Sequence, residues 1–375
     1  MKTNILRKGL LLLAMVAAAV GLAACGSDST TSSTDGASAV TGPDITAQGE
    51  GELNIVAWEG YTDDAWVKDF TKETGCKVNA TYAGSSDEMF TKFQSGGGGQ
   101  YDLVSPSGDA SLRLIKSGAV APLDTTKLTN LKAIAPQLQA PYFNTVAGVH
   151  YGLSFMWGGN VLIYNADKVK TPPDSWDVLY DPANKGKVTV PDNPIQIADV
   201  ALQYFGQENP YAISQETLDQ VTAKLKDQAP LVRKYWVLAT DFEDLFKSGD
   251  AVVGAGWPLM TNDLTKAGMN VKEVVPKEGI TGWADSWMVS KEAKNPICAY
   301  QYMNYVTTPE VQAKVVDVTG YSPANVKTAV IVGPKRAAVL HINDPKYYNS
   351  IKFWATPVAP TNYRQWTDAW AQVRG

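Results

Sequence analysis

From residue 52 onward, short apolar segments with strand-like character alternate with stretches of helical periodicity. Residues 53–57 and 77–82 are predicted to be strands, with an amphipathic helix at 62–74 between them. A second helix and a third strand, at 101–105, follow in the same alternation. This pattern predicts an α/β fold in which parallel or mixed sheets are covered by helices.

A nearly unbroken apolar run occupies residues 151–164 and is interrupted by Trp157-Gly158-Gly159. A long strand with a glycine break is expected where a chain crosses from one domain to another. A glycine-rich bulge within a single sheet would produce the same pattern. Both interpretations fit the sequence.

The first 25 residues have the layout of an export signal. A basic start precedes an apolar run at 9–22, which ends in Leu22-Ala23-Ala24-Cys25, so residues 1–24 are predicted to be a signal peptide. The tetrad resembles the lipobox of bacterial lipoproteins, in which Cys25 becomes the lipid-modified first residue. An ordinary secretory signal with a chance cysteine is the alternative. Residues 25–51 are predicted to form a flexible tether because they are rich in Ser, Thr, Asp and Gly.

The charge of the chain argues against partners that are themselves anionic. Without residues 1–24, the chain has 30 basic and 38 acidic residues, a net charge of −8. It has no basic clusters, which makes nucleic acid a poor candidate as a partner.

The sequence predicts neither a metal site nor a catalytic centre. His150 and His341 are the only histidines and lie apart, and no nucleophile motif is present. Cys76 and Cys298 are either bridged or a pair of buried free thiols. A tethered hydrolase using two acids such as Glu59 and Asp285 is an alternative, because glycoside hydrolysis needs only two carboxyl groups.

Aromatic and acidic side chains follow the first predicted strand and recur at later turns. Trp58, Glu59 and Tyr61 come directly after residues 53–57, at the type of position where open α/β sheets bind ligands. Aromatic faces attract cations, so this combination suits a ligand with an apolar body and a positive charge. Similar clusters occur at 107–109, 155–157, 192–196, 256–258, 282–286 and 320–323.

Several of these segments, taken in order, resemble one family, the periplasmic spermidine/putrescine-binding proteins of ATP-driven polyamine importers. The similarity extends over nearly the whole chain from Leu53 onward. The segments that carry it are Trp58-x-x-Tyr61, Phe70-Thr71-Lys72-Glu73-Thr74-Gly75, Tyr101-Asp102-Leu103-Val104, Pro106-Ser107, Trp157-Gly158, Asp174-Ser175-Trp176-Asp177, Pro276-Lys277-Glu278-Gly279, Trp283-x-Asp285-Ser286 and Gly320-Tyr321.

The resemblance implies a type II periplasmic-binding-protein fold, with two α/β lobes that close on a ligand around a hinge of crossing strands. Lobe 1 would comprise residues 52–155 and 283–326, and lobe 2 residues 156–282 and 327–375. In that family, aromatic rings sandwich the methylene chain of the ligand and acids receive its ammonium groups. The ligand-binding residues carried over to this chain are Trp58, Glu59, Tyr61, Asp109, Asn193, Gln196, Thr240, Trp257, Trp283, Asp285 and Tyr321.

The acids are distributed differently from the family pattern. Asn193 and Gln196 are neutral where spermidine binders have an Asp and a Glu. Conversely, Asp109 replaces a slot-lining Tyr, and Glu59 replaces a small hydroxyl residue. These differences suggest that the acids have moved to the first lobe and that the ligand has fewer cationic groups on the second-lobe side.

The resemblance further implies a monomeric, non-enzymatic receptor without a cofactor. It would be lipid-anchored at the outer face of the cytoplasmic membrane and would deliver a polyamine to an ABC permease and its ATPase. The alternative within the same fold is a receptor for another small amine, a betaine or an amino acid derivative.

Overall fold

The structure is a computed structural model, and it describes residues 40–95 and 99–375. The predicted signal peptide and Cys25 lie outside these residues. Residues 40–375 form one compact unit. Within the described residues, no helix combines the length and the apolar character needed to cross a membrane.

The described residues contain fourteen strands and fourteen α-helices. The strands in chain order are β1 (Glu52–Ala57), β2 (Lys77–Tyr82), β3 (Leu103–Val104), β4 (Thr145–Val146), β5 (Val149–His150), β6 (Leu153–Gly159), β7 (Val161–Asn165), β8 (Val188–Pro191), β9 (Val232–Trp236), β10 (Val253–Gly256), β11 (Val271–Val274), β12 (Thr281–Val289), β13 (Ser322–Pro323) and β14 (Lys352–Phe353). The helices are α1 (Asp64–Thr74), α2 (Ser86–Ser95), α3 (Gly108–Lys116), α4 (Pro136–Gln139), α5 (Gln196–Phe205), α6 (Gln215–Gln228), α7 (Ala239–Ser248), α8 (Pro258–Lys266), α9 (Pro296–Val306), α10 (Pro309–Thr319), α11 (Thr328–Val332), α12 (Pro334–Val339), α13 (Pro345–Ser350) and α14 (Tyr363–Arg374).

Two large sheets organise the molecule, and β4 and β5 pair in a small third one. The first sheet has seven strands in the order β13-β6-β12-β3-β1-β2, with β14 beside β12. The second has five strands in the order β11-β7-β10-β8-β9. Parallel pairs are present in both sheets, and β12 and β7 run antiparallel to their main neighbours. The predicted α/β fold with mixed sheets is therefore confirmed.

The apolar run at 151–164 crosses between the two sheets. Strand β6 lies in the first sheet, whereas β7 lies in the second, and Asn160 alone separates them. The chain crosses again between β11 and β12. Of the two interpretations of this run, the crossing is the one that the structure contains.

Local sequence signals fix the ends of helices that matter for the site. Asp63 caps α1 by accepting a hydrogen bond from the backbone N–H of Ala65. Helix α10 ends at Gly320, whose φ of +73° is a left-handed conformation that favours glycine. The chain reverses there, and Tyr321 follows directly.

Residues 40–51, which the composition assigned to the flexible tether, pack against the folded unit. The carboxylate of Glu50 accepts hydrogen bonds from the backbone N–H groups of Ile297 and Cys298 at the start of α9. The side chain of Gln301 donates to the carbonyl groups of Ile45 and Ala47. A polar segment thus finds its partners at a helix N-terminus, so the packed part of the chain already includes residues 40–51.

Cys76 and Cys298 form a disulfide that joins the start of β2 to α9. Their Cα atoms lie 5.8 Å apart, and the bridge closes a sequence separation of 222 residues. Both cysteines are fully buried. The structure thus contains the bridged form rather than two free thiols.

Candidate functional site

Six aromatic side chains, one serine and one carboxylate surround a small cavity, which we call the aromatic slot. It is lined by Trp58, Tyr61, Ser107, Trp257, Trp283, Asp285, Tyr321 and Trp354. Six of the eleven residues predicted from the sequence are in this group. They come from segments far apart in the chain, and the fold brings them together.

The ends of β1 and β10 supply two facing indoles of the slot. Trp58 follows β1 directly, and Trp257 follows β10 and precedes α8. Their ring centroids are 5.8 Å apart and nearly perpendicular, at 76°. Edge-to-face contact is a favoured geometry for aromatic pairs. The first and second sheets therefore each contribute one wall of the slot at a strand end, as the sequence predicted for an α/β fold.

Strand β12 supplies both an indole and the carboxylate. Trp283 and Asp285 are two positions apart on this strand, and both line the slot. The pairing of β12 with β6 shifts register between Ala284 and Ser286, which is a local irregularity beside Asp285. The ring of Trp283 also packs on Tyr321, with centroids 4.3 Å apart.

Asp285 is the only carboxylate among the slot-lining residues, and it is 3% exposed. The hydroxyl groups of Tyr61 and Ser107 each donate to one of its oxygens, both at 2.5 Å. Among the described residues, no Lys, Arg or His forms an ion pair with it. Burial raises the pKa of Asp285 to about 7, although the two hydroxyl groups act in the opposite direction.

The slot is almost closed. Its enclosed volume is about 10 Å³, which is room for about one water molecule. Larger depressions occur elsewhere, such as one of about 420 Å³ between α6 and α14, but that one combines no aromatic ring with its acids. Because of its chemistry rather than its size, the aromatic slot is the candidate ligand site.

Glu59 and Thr240 were predicted to contact the ligand, but the structure places them next to each other outside the slot lining. The Glu59 carboxylate accepts a hydrogen bond of 2.7 Å from the backbone N–H of Ala239, in the first turn of α7. The Thr240 hydroxyl lies 3.5 Å from its other oxygen. A carboxylate at a helix N-terminus satisfies a free N–H group and interacts well with the helix dipole. Glu59 therefore links the end of β1 to a helix that covers the second sheet.

Asp109 is also outside the slot lining. It lies in the first turn of α3, where it is buried and accepts a hydrogen bond of 2.7 Å from the Ser86 hydroxyl. Burial raises the pKa of Asp109 to about 6. Its charge contributes to the raised pKa of Asp285, but one of its oxygen atoms accepts from Ser86 on α2.

Asn193 and Gln196 are buried and outside the slot lining, and each bonds to a neighbouring group of the protein through one side-chain atom. The Asn193 side chain accepts from the backbone N–H of Ile195 at 3.0 Å, which is a local turn contact. Gln196 donates to Asp199 at 2.7 Å. The neutral residues at the positions of the family's acids are thus held in a network of their own.

Sequence reasoning missed two of the slot-lining residues. Ser107 precedes α3 and had a signal, because serine before a helix is a typical N-cap and Pro106-Ser107 belongs to the family pattern. In this structure its hydroxyl bonds to Asp285 instead of capping the helix. Trp354 follows β14 and had no local signal, since it reaches the slot only because β14 pairs with β12.

Within the described residues, no group of three or more His, Cys, Asp and Glu side chains is arranged to hold a metal ion. Asp285 is the one acid in the slot lining, and Asp109 bonds elsewhere. The pair Glu59 and Asp285, considered for a hydrolase, is not assembled, because Glu59 is bound to α7.

Two mixed sheets with an aromatic and acidic slot between strand ends define the molecule as a solute-binding protein of type II periplasmic fold. A structure described as a putative spermidine/putrescine ABC transporter from Listeria monocytogenes superimposes with a TM-score of 0.77, at 23% identity. The alignment covers 86% of this chain and 99% of that one. The predicted fold class is therefore confirmed.

The chain belongs to the bacterial extracellular solute-binding protein family, whose profile matches residues 65–334. The putrescine-binding periplasmic protein PotF of Escherichia coli (strain K12) is 30% identical over 339 residues, which cover 86% of this chain and 91% of that protein. A putrescine/agmatine-binding protein of Pseudomonas aeruginosa is 26% identical over 296 residues, covering 73% of this chain and 78% of that protein. The family predicted from the sequence is confirmed.

Proposed function

We propose that this protein is the substrate-binding component of an ABC importer and that it captures a polyamine or a closely related amine in the aromatic slot. In this assignment the protein binds and releases its ligand without chemical change. Sequence relatives of this chain are named as binding proteins for putrescine, spermidine or agmatine. All three are alkyl amines with at least one strongly basic group.

The observation that carries this proposal is the environment of Asp285. A carboxylate that is 3% exposed and has no cationic partner among the described residues is costly to keep ionised. An ammonium group in the slot would supply the missing charge and form charge-assisted hydrogen bonds with it. The surrounding rings would cover the methylene chain and attract the cation through their faces.

The closed slot indicates how the ligand enters. A space that holds about one water molecule cannot admit a diamine, so the walls formed by Trp58 and Trp257 must first separate. These walls belong to different sheets, and the chain crosses between the sheets at Asn160. Hinged opening about such crossings is the usual motion of two-lobed receptors. The lobe boundaries predicted from the sequence, 155/156 and 282/283, fall within β6 and β12, so in this proposal the lobes meet instead at the crossings beside these strands. Glu59 contacts α7 in the closed form.

The proposal extends to the setting in which the receptor works. The family to which the chain belongs is extracellular, and the apolar leader at the start of the sequence is followed by Cys25. We infer that Cys25 carries the lipid anchor and that the monomeric receptor delivers its ligand to a permease with an ATPase. Metabolic labelling with a fatty-acid analogue tests the anchor, and Cys25→Ser is the matched control that abolishes the labelling.

Calorimetry with the purified protein tests the ligand class. Putrescine, spermidine and agmatine are titrated beside butane-1,4-diol, which has the shape of putrescine without its charges, and beside glycine betaine and 4-aminobutanoate. At least one of the three cationic amines should bind, and the diol should give no heat. The proposal fails if none of the three cationic amines gives heat while a neutral or zwitterionic compound binds. A mass spectrum of whatever co-purifies with the protein is an independent check.

A further inference from the structure

A second buried acid, Asp199, lies one layer behind the aromatic slot and outside its lining. It is on the first turn of α5 and is 5% exposed. Among the described residues, no Lys, Arg or His forms an ion pair with it. Its partners are instead three neutral side chains. The predicted set of ligand-binding residues did not include it.

Those three side chains all donate to Asp199. The hydroxyl of Thr281 and the amide nitrogen of Asn160 donate to one carboxylate oxygen, the latter at 3.3 Å. The amide nitrogen of Gln196 donates to the other oxygen at 2.7 Å. A carboxylate can only accept when ionised, so it fixes the direction of all three hydrogen bonds.

The direction of these hydrogen bonds determines which atoms of Thr281 and Asn160 remain to bond with residues of the slot. A hydroxyl has one proton, and because that of Thr281 goes to Asp199, its oxygen is left to accept. It accepts from the Asn160 amide at 2.9 Å and from the indole N–H of Trp354 at 3.3 Å. With both amide protons of Asn160 in use, its oxygen accepts from the indole N–H of Trp257 at 3.2 Å.

Trp257 and Trp354 both line the slot. We propose that Asp199 is a positioning residue for ligand binding, which orients these two indoles through Asn160 and Thr281 without touching the ligand. The inference rests on the proposed function only in that the ligand enters the slot. It explains why a buried acid lies beside the neutral pair Asn193 and Gln196, where it faces the protein network rather than the cavity.

The geometry predicts different effects for two substitutions of the same residue. Asp199→Ala removes the acceptor, so the Thr281 proton and the Asn160 amide are free to turn and the indoles lose their fixed partners. Binding of putrescine should weaken about tenfold, as expected for the loss of one buried network contact. Asp199→Asn retains an oxygen that can accept from both residues, so affinity should stay within about threefold of that of the unsubstituted protein.

A double-mutant cycle shows whether the effect passes through the indoles. Trp257→Phe and Trp354→Phe keep an aromatic ring but remove the N–H group. In that double background, Asp199→Ala should change affinity less than about twofold. Equal effects in both backgrounds would overturn the proposal, because Asp199 would then act by another route. Glu243→Gln is the control, since Glu243 is buried but paired with Lys247 on the same helix.

A spectroscopic readout separates this inference from the ligand assignment. The near-ultraviolet circular dichroism of the ligand-free protein should change in Asp199→Ala and in Asn160→Ala, and remain unchanged in Asp199→Asn and the Glu243 control. This result needs no ligand, so it stands even if no amine binds. If both alanine variants fold with unaltered spectra and unaltered affinities, the positioning role is refuted. Thermal unfolding identifies any variant that has simply lost its fold.

Discussion

Asp285→Asn is the substitution that tests the candidate site most directly. It replaces a carboxylate by an amide of the same shape, and both hydroxyl partners, Tyr61 and Ser107, can reorient toward the amide. The packing of the slot is therefore preserved, while the only charge that lines it is removed.

The expected loss of binding follows from burial. Asp285 is 3% exposed, so an ammonium beside it is also withdrawn from water and loses its counter-charge in the variant. Removing one partner of such a buried pair typically costs about 2–5 kcal/mol. The dissociation constant of putrescine should therefore rise by between about 30-fold and a few thousandfold.

The stability of the ligand-free protein should not fall together with the affinity for putrescine. Burial raises the pKa of Asp285 to about 7, above its ordinary value of 3.8. The contribution of this residue to the free energy of unfolding is therefore fully present below pH 3.8 and is lost as the pH rises through about 7. Near pH 8 the ionised group destabilises the ligand-free protein, and the amide removes that cost. The ligand-free variant should therefore melt at the same temperature as the unsubstituted protein or higher.

Calorimetry and thermal unfolding at about pH 8 measure the two effects on the same samples. Asp368→Asn is a matched control, because Asp368 lies on α14 with a side chain that is 67% exposed. It should change neither quantity. Unaltered putrescine affinity in Asp285→Asn would refute the reasoning, and so would a large fall in melting temperature, which would mark Asp285 as a structural acid.

Three further predictions concern proton linkage, closure and the disulfide. Because a bound cation favours ionised Asp285, the affinity for putrescine should fall below about pH 7, by up to about tenfold per pH unit. Titrations across about pH 5.5–8.5 would show this fall, and an affinity that does not change with pH would contradict it. Glu59→Gln weakens the contact with the Ala239 N–H, so every slot ligand should lose affinity by a similar factor of about two to ten. A loss confined to one amine would mean direct ligand contact. Replacing Cys76 and Cys298 by Ser should lower the free energy of unfolding by about 2–5 kcal/mol, measured in denaturant, and leave affinity at 25 °C unchanged; unchanged unfolding would contradict it.

The aromatic part of the slot could be predicted because its residues occupy positions defined by strand ends. Trp58 after β1 and Trp257 after β10 follow buried apolar segments that are visible in the sequence, and Trp283 belongs to the family-like segment Trp283-x-Asp285-Ser286. Trp354 follows a two-residue strand whose pairing with β12 is a long-range event. No local pattern encodes such a contact.

The polar part of the slot was harder to predict because polar side chains have many possible partners. Glu59 and Asp109 are acids close in sequence to slot residues, yet one binds the start of α7 and the other a hydroxyl on α2. The same holds for the last residues of the predicted tether, where the Glu50 carboxylate accepts hydrogen bonds from N–H groups at the start of α9. Composition identifies a polar group but does not identify its partner.

The number and type of donors around a buried acid separate a structural role from a binding role in this protein. Asp102 is 1% exposed, and it accepts hydrogen bonds from three backbone N–H groups, those of Asn54, Lys294 and Asn295. Its charge is compensated within the fold, and its task is to join three segments. Asp285 is as deeply buried but has only two hydroxyl donors and an aromatic cavity beside it. The fold supplies Asp285 with no such compensation, and in the proposed complex a cation held among the aromatic faces would provide it.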